Sequence, residues 1–267
     1  MAILTISRQF GSGGREIGQA VAQELRYEYI DKSRIINDLR AIGQNWEKWG
    51  ESLDEHCPTT WEKYDWSFRG FGALIQSAIL KYAVTERVVI MGRGANFVLQ
   101  GVPFAYRIHI IAPLEERIAR IMVSESVDRE TALWLAEKTD QDRSCFIYSL
   151  YGKHWDEPDQ YDEVTNTGGA SLDDVVVKIK GILVNKDQHL NEANRKELEM
   201  RAAAARVKAG LLTDTGLFLP ILDVFYDGSS IIVKGIIHNP KEHKRVESKA
   251  AVLAGDHPLR CMLHYRR

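Results

Sequence analysis

The sequence predicts an α/β chain, a parallel sheet with helices on both faces, followed by a small α+β module of order α-β-β-α-β. Three observations predict it. Short apolar runs such as Ala2 to Ile6, RVVIM and YRIHII read as strands buried on both faces. Stretches with helical spacing of apolar residues separate them, and strands alternating with helices imply parallel pairing. Beyond Leu190 the order changes to helix, two strands, helix, strand, which marks a second unit.

Taken in order, Ala2–Ile6 is a strand, FGSGG a glycine loop, and REIGQAVAQEL a helix with Ile17, Val21, Ala22 and Leu25 on one face. YEYID is a short strand ending in Asp31, and a helix runs from about Ser33 to Ile42. Residues 43–68 hold Trp46, Trp49, Trp61, Trp66 and Pro58 in a polar background, which predicts irregular structure or short helices that fill a satellite core or stack a base. Phe68–Val84 reads as an amphipathic helix. RVVIMGRG and YRIHIIAP are strands, and LEERIARIMVSES begins a helix after Pro113. Arg129–Ser149 is a charged helix, Tyr151–Asp159 a loop holding His154 and Trp155, YDEVTNTG a late strand and Ser171–Leu183 a helix. A helix then runs to Gly210 as C-cap. Leu219–Tyr226 and Ile231–Ile237 flank the turn DGSS. Asn239-Pro240 and Gly255 bound a helix over Lys241–Ala254, and Leu259–Tyr265 is the last strand. The expected domains are 1–185, a linker helix 186–210, and 211–267.

Composition narrows the function. Of 267 residues, 45% are apolar and 27% charged, which excludes wholesale disorder and fibrous repeats. The net charge of −2 gives no bulk argument for nucleic-acid binding. It is unevenly spread: from Leu190 onward 13 basic and 9 acidic side chains give +4, against −6 for the first 189 residues. Cys57, Cys145 and Cys261 are an odd set without a CxxC pair, so neither a disulfide nor a zinc site is expected, and a cytoplasmic protein without a leader or membrane span is. The histidines show no metal-ligand spacing, so no dedicated protein metal site is expected.

The segment ITISRQFGSGGREIG carries the most chemistry. Glycines between a strand and a helix let backbone N–H groups converge on one concavity, and the helix N-terminus favours an anion, so the loop suits phosphate; the alternative is a tight packing turn. The pattern GxxxxGK[ST] is not met, because Gln9 stands at the first glycine and Arg15-Glu16 follow Gly14 in place of Lys-Ser. Arg8 and Arg15 supply cations that can meet phosphate oxygens.

The words ISRQFGSGGREIG, YIDK, VVIMGRGA, IAPLEERIARI, DQDR and YDEVTNT, in that order, resemble the cytidylate kinase-like proteins of the P-loop nucleoside monophosphate kinase superfamily over about residues 1–183. The resemblance implies an ATP- and Mg²⁺-dependent kinase that phosphorylates CMP, dCMP or a related small acceptor. It implies a nucleotide cradle from Arg8, Gly11, Ser12, Gly13, Gly14, Arg15 and Glu16, with Arg117 and Arg120 on the helix that leads to a lid. Asp31 and Arg93 then face the acceptor, and Arg15, Asp31 and Arg143 act on the transferring group. The residues also admit plainer readings: an N-cap for Asp31, and a solvated face paired with Glu115 and Glu116 for Arg117 and Arg120. A nucleotide-sensing module that binds without transfer is the alternative function. The C-terminal module resembles a BON domain; Lys241, Lys244, Arg245 and Lys249 give its helix a basic face, suited to an anionic ligand, to self-association or simply to solvent.

Overall fold

The computed structural model describes residues 1–43, 46, 49, 57–59, 61, 62 and 65–265. Most of the tryptophan-rich stretch expected to be irregular lies outside the described residues. The chain divides into two compact units, Met1–Thr60 with Thr85–Asn191, and Trp61–Val84 with Glu192–Arg267.

The first unit is built on a five-stranded parallel sheet of β1 (Ile3–Arg8), β2 (Glu28–Ile30), β3 (Val88–Met91), β4 (Ala105–Ile111) and β5 (Glu163–Asn166), in the order β2-β3-β1-β4-β5. Its helices are α1 (Gly14–Leu25), α2 (Lys32–Ile42), the short α4 (Ala95–Val98), α5 (Leu114–Glu125), α6 (Arg129–Tyr151) and α7 (Leu172–Asp187). This is the parallel sheet flanked by helices that the sequence predicts. Parallel pairing explains the continuous apolar runs, since β1 is buried on both faces from Ile3 to Ser7. On one face Ile17 and Val21 of α1 and Val176, Ile179 and Leu183 of α7 pack on Leu4, Ile6, Val89 and Ile108. Each such side chain withdrawn from water contributes roughly 1.5–3 kcal/mol. The chain leaves β1 toward β2 and β3 on one side and returns to β4 on the other, so the C-terminal ends of β1, β3 and β4 border a crevice where such sheets bind ligands.

Helix ends follow the local chemistry. Asp31 caps α2 by accepting from Arg34 N–H at 3.1 Å, Asp128 caps α6 through Thr131 N–H at 2.8 Å, and Ser171 caps α7. One expectation fails outright. Cys57 and Cys145, 88 residues apart, are joined by a disulfide with Cα atoms 5.5 Å apart, while Cys261 is free. Pairing at such separation depends on the tertiary fold and leaves no mark in local sequence.

The second unit joins α3 (Trp66–Val84) to α8 (Glu192–Leu212), β6 (Leu222–Tyr226), β7 (Ile231–Ile237), α9 (Pro240–Ala254) and β8 (Leu259–Tyr265). Its sheet has the order β6-β7-β8, with β6 and β7 antiparallel and β7 and β8 parallel. The α-β-β-α-β order agrees with expectation; the boundaries do not. Residues 186–210 do not form a linker helix: α7 ends at Asp187, and α8 packs along α3 within the unit. α3 is buried nearly all round, from Phe68 through Phe71, Leu74, Ile75 and Ile79 to Tyr82, so it is an internal helix and not an amphipathic surface one. Trp66 joins this core, its Nε1–H donating to the Leu212 carbonyl at 3.2 Å and its ring 5.1 Å from Phe218. Gly210 is interior to α8 and not its cap; a Cβ there would stand 2.5 Å from Leu253, so glycine permits the approach of α9. The DGSS turn forms as predicted, with Asp227 Oδ1 accepting from Ser229 and Ser230 N–H at 2.9 and 2.8 Å.

Candidate active site

β1 ends at Arg8, and α1 begins at Gly14. Between them Gly11 and Gly13 take φ values of 76° and 82°, open to glycine and strained for other residues. Space enforces the same choice: a Cβ on Gly11 would meet the Arg117 carbonyl oxygen at 2.8 Å, and one on Gly14 would meet Arg8 Cβ at 2.6 Å. The loop therefore lies flat against its neighbours. Among the described hydrogen bonds none uses the N–H of Gly11, Gly13, Gly14, Arg15 or Glu16. Three of these belong to the first turn of α1, where a helix has no internal partner to offer.

The loop is braced from behind. Phe10 N–H donates to Asp140 Oδ1 at 2.8 Å, and Arg117 donates to the Phe10 carbonyl at 3.2 Å while forming an ion pair with Asp140. Arg120 donates to Thr167 Oγ1 at 3.0 Å, whose hydroxyl donates to the Ser12 carbonyl at 2.7 Å. Ser12 Oγ donates to the Gln9 carbonyl at 2.8 Å, so this hydroxyl closes the loop on itself.

Two cavities flank the end of β1. The larger, about 420 Å³, is lined by residues 8–16 together with Arg120, Glu125 and Arg143. The smaller, about 110 Å³, is lined by Ser7, Arg8, Lys32, Arg93, Arg143 and Trp155 among others. Arg8 and Arg143 belong to both linings. Arg143 donates to the Arg8 carbonyl at 2.9 Å, which fixes its guanidinium at the junction.

Arg93 reaches the smaller cavity from a turn that only function or packing would tolerate. Its φ is 57°, between Gly92 at 67° and Gly94 at 73°, and a side chain in that region costs roughly 1–2 kcal/mol. Tyr151 Oη donates to the Arg93 carbonyl at 2.7 Å, and the guanidinium carbon lies 4.9 Å from the Phe146 ring centroid. Gly94 is required beside it, because a Cβ would stand 2.2 Å from Tyr151.

The structure thus brings together Arg8, Gly11, Ser12, Gly13, Gly14, Arg15, Glu16 and Arg120 around the larger cavity, and Arg93 and Arg143 at the smaller. Two expected residues are elsewhere. Arg117 is buried behind the loop as a brace, and Asp31 is the N-cap of α2 and lines neither cavity. Lys32, the neighbour of Asp31, lines the smaller cavity instead. Sequence reasoning gives no role to Asp140, although it opens the word DQDR, nor to Ser7 and Trp155, which read as strand and loop.

The model of the cytidylate kinase-like family matches residues 3–168, which holds the loop, the braces and the lining of both cavities apart from Leu172. The chain belongs to that family. A cytidylate kinase from Pyrobaculum calidifontis is 25% identical over 177 residues, covering 66% of this chain and 89% of that one. A uronate isomerase from Corynebacterium glutamicum is 30% identical over 94 residues, and the match spans 35% of this chain but only 18% of the isomerase. The crystal structure of an uncharacterized protein from Eubacterium ventriosum has a TM-score of 0.53 at 23% identity, covering 68% of this chain and 98% of that one, which shows a shared fold. The cytidylate kinase-like match ends at residue 168, before α7 and the Glu192–Arg267 part of the second unit, and spans that unit's other part, Trp61–Val84.

Proposed function

We propose that the first unit is an ATP-dependent kinase that transfers the γ-phosphoryl group to CMP, dCMP or a related small anionic acceptor. The observation that carries this reading is the pair of cavities meeting at Arg8 and Arg143, with a cradle of partnerless N–H groups on one side. A polyphosphate suits the larger cavity, because five N–H groups with no partner among the described residues and the Arg15 side chain, all in its lining, offer donors and positive charge. Magnesium suits the same wall. Glu16 supplies one hard carboxylate beside the cradle, and Mg²⁺ is commonly held by one or two carboxylates with substrate phosphates and water. When bound, Mg·ATP supplies the phosphoryl group and neutralises part of its charge.

The chain's own residues do the rest. Lys32 and Arg93 hold the anionic part of the acceptor, and Arg8 and Arg143 meet charge developing between donor and acceptor. Such transfer needs positioning and charge neutralisation more than covalent chemistry. Asp140 and Arg117 keep the cradle in shape. For the second unit we propose a BON-like regulatory role, supported by its α-β-β-α-β order.

Arg15 and Glu16 in place of Lys and Ser favour a second reading, a nucleotide sensor that binds without transfer. A coupled ADP-release assay over CMP, dCMP, UMP and AMP separates the two. We expect turnover with a cytidine monophosphate; a flat trace for every acceptor alongside tight ATP binding establishes the sensor.

A further inference from the structure

The segment that follows α6 is clasped to the end of β1 by a closed cycle of hydrogen bonds. Trp155 Nε1–H donates to Ser7 Oγ at 2.6 Å, and Tyr161 Oη donates to the Trp155 carbonyl at 2.7 Å. A tyrosine has one hydroxyl proton, and here it goes to that carbonyl. The 3.2 Å contact between the two hydroxyls is therefore donated by Ser7. Ser7, Trp155 and Tyr161 are all buried. The His109 ring lies against both aromatic rings, its centroid 5.0 Å from Trp155 and 4.8 Å from Tyr161. Burial pushes the His109 imidazole down to about 4, so it is neutral near pH 7 and places no charge behind the clasp.

Two members of the cycle, Ser7 and Trp155, also line the smaller cavity. The only polar atom of the indole is bonded to Ser7, so whatever Trp155 presents to the cavity is carbon surface. Met91, Phe146 and Ile147 line the same space. The lining thus joins cations from Arg8, Lys32, Arg93 and Arg143, and the polar Ser7, Thr139 and Asp142, the last paired with Lys138, to a set of apolar groups that includes Trp155. A polyhydroxylated acceptor would lose hydration against that carbon surface without regaining hydrogen bonds. An anion that also carries a flat or apolar group would not.

We propose that Trp155 is a positioning and specificity-determining residue of the acceptor site: it offers the acceptor an apolar plate, and through Ser7 it holds the strand end from which Arg8 enters both cavities. The inference rests on the kinase reading above and deepens it, since it selects monophosphates with a flat base over sugar acids and polyols.

The test compares the full-length wild type with Trp155→Phe, Trp155→Ala and Ser7→Ala. Two readouts serve: steady-state kinetics with CMP and ATP, and quenching of tryptophan fluorescence on titrating CMP in the presence of a non-hydrolysable ATP analogue. Trp155→Ala is expected to raise the KM for CMP at least tenfold, with kcat within about threefold and ATP affinity within about twofold. Trp155→Phe keeps a ring but loses the N–H, and Ser7→Ala removes its acceptor; both are expected to raise that KM by about threefold. CMP should quench the wild type, and Trp155→Phe should lose that quenching.

A KM for CMP that does not move in any folded variant, or that moves only in step with ATP affinity, overturns the inference while leaving the kinase reading intact. If the wild type turns nothing over, the kinase reading fails on its own evidence, and the quenching experiment still decides Trp155. Loss of quenching in Trp155→Phe then supports the plate, and no quenching of the wild type refutes it. Should Trp155→Ala fail to fold, Trp155→Phe and Ser7→Ala carry the comparison.

Discussion

Two glycine turns close the C-terminal ends of neighbouring strands, and they use glycine to opposite ends. After β1, Gly11 and Gly13 take left-handed backbone, and among the described residues their N–H groups and those of Gly14, Arg15 and Glu16 at the start of the 12-residue α1 have no protein partner. After β3, Gly92 and Gly94 take left-handed backbone too, yet the short helix that follows turns first-turn donors back on the turn: Ala95 N–H donates to the Gly92 carbonyl at 3.1 Å and Phe97 N–H to the Gly94 carbonyl at 2.9 Å. What the second turn offers the cavity is the Arg93 side chain. One turn presents main chain, the other a cation. A glycine cluster therefore predicts a backbone cradle only where a helix with free first-turn donors follows it.

The largest effect is expected from breaking the brace behind the first turn. Arg117→Met takes the nearer of two cations from the half-buried Asp140, leaving Arg143 3.7 Å away, and removes the donor to the Phe10 carbonyl; a lost hydrogen bond to a charged group costs about 1.5–3 kcal/mol. We expect a large fall in thermal stability together with loss of ATP binding, read by calorimetry and nucleotide titration. Unchanged binding in a folded Arg117→Met protein would show that the cradle holds its shape unaided.

The second turn makes a sharper prediction because its two properties should separate. Arg93→Gly relieves a left-handed side-chain residue and is expected to change stability by only about 1 kcal/mol or less, strain relief offsetting the added freedom of the unfolded chain. The same change removes a cavity cation and is expected to raise the acceptor KM tenfold or more while ATP affinity holds. Equal losses for both ligands would mean that the two cavities are not functionally distinct.

The smallest effect is assigned to Asp31. As an N-cap its replacement by Ala should cost about 1 kcal/mol of stability, with kcat within twofold. A hundredfold fall in kcat would restore the acceptor-facing role that the family resemblance implies.

These cases show what the sequence made legible. The order of strands and helices in the first unit was readable because parallel strands buried on both faces are short apolar words between helical periods, and the cradle because glycine spacing is local. Roles that depend on where a side chain points were not. In YIDK the carboxylate caps a helix while the next residue, Lys32, reaches the cavity, and one step along a chain is enough to exchange those fates. Arg117 and Arg120 share a helix and differ by one turn, yet one is a buried brace and the other a cavity wall. Asp140, Trp155 and the Cys57–Cys145 pair act across the fold, on partners 23 to 148 residues away, and no window of sequence contains both ends.

The second unit draws α3 from between β2 and β3 of the first, so its chain is discontinuous. A protein shortened after residue 185 would keep every kinase-family word and still be left with a 19-residue rod, apolar on nearly every side, whose natural cover, α8, had been cut away. Such a fragment would aggregate through that rod, and its failure would say nothing about the phosphate cradle.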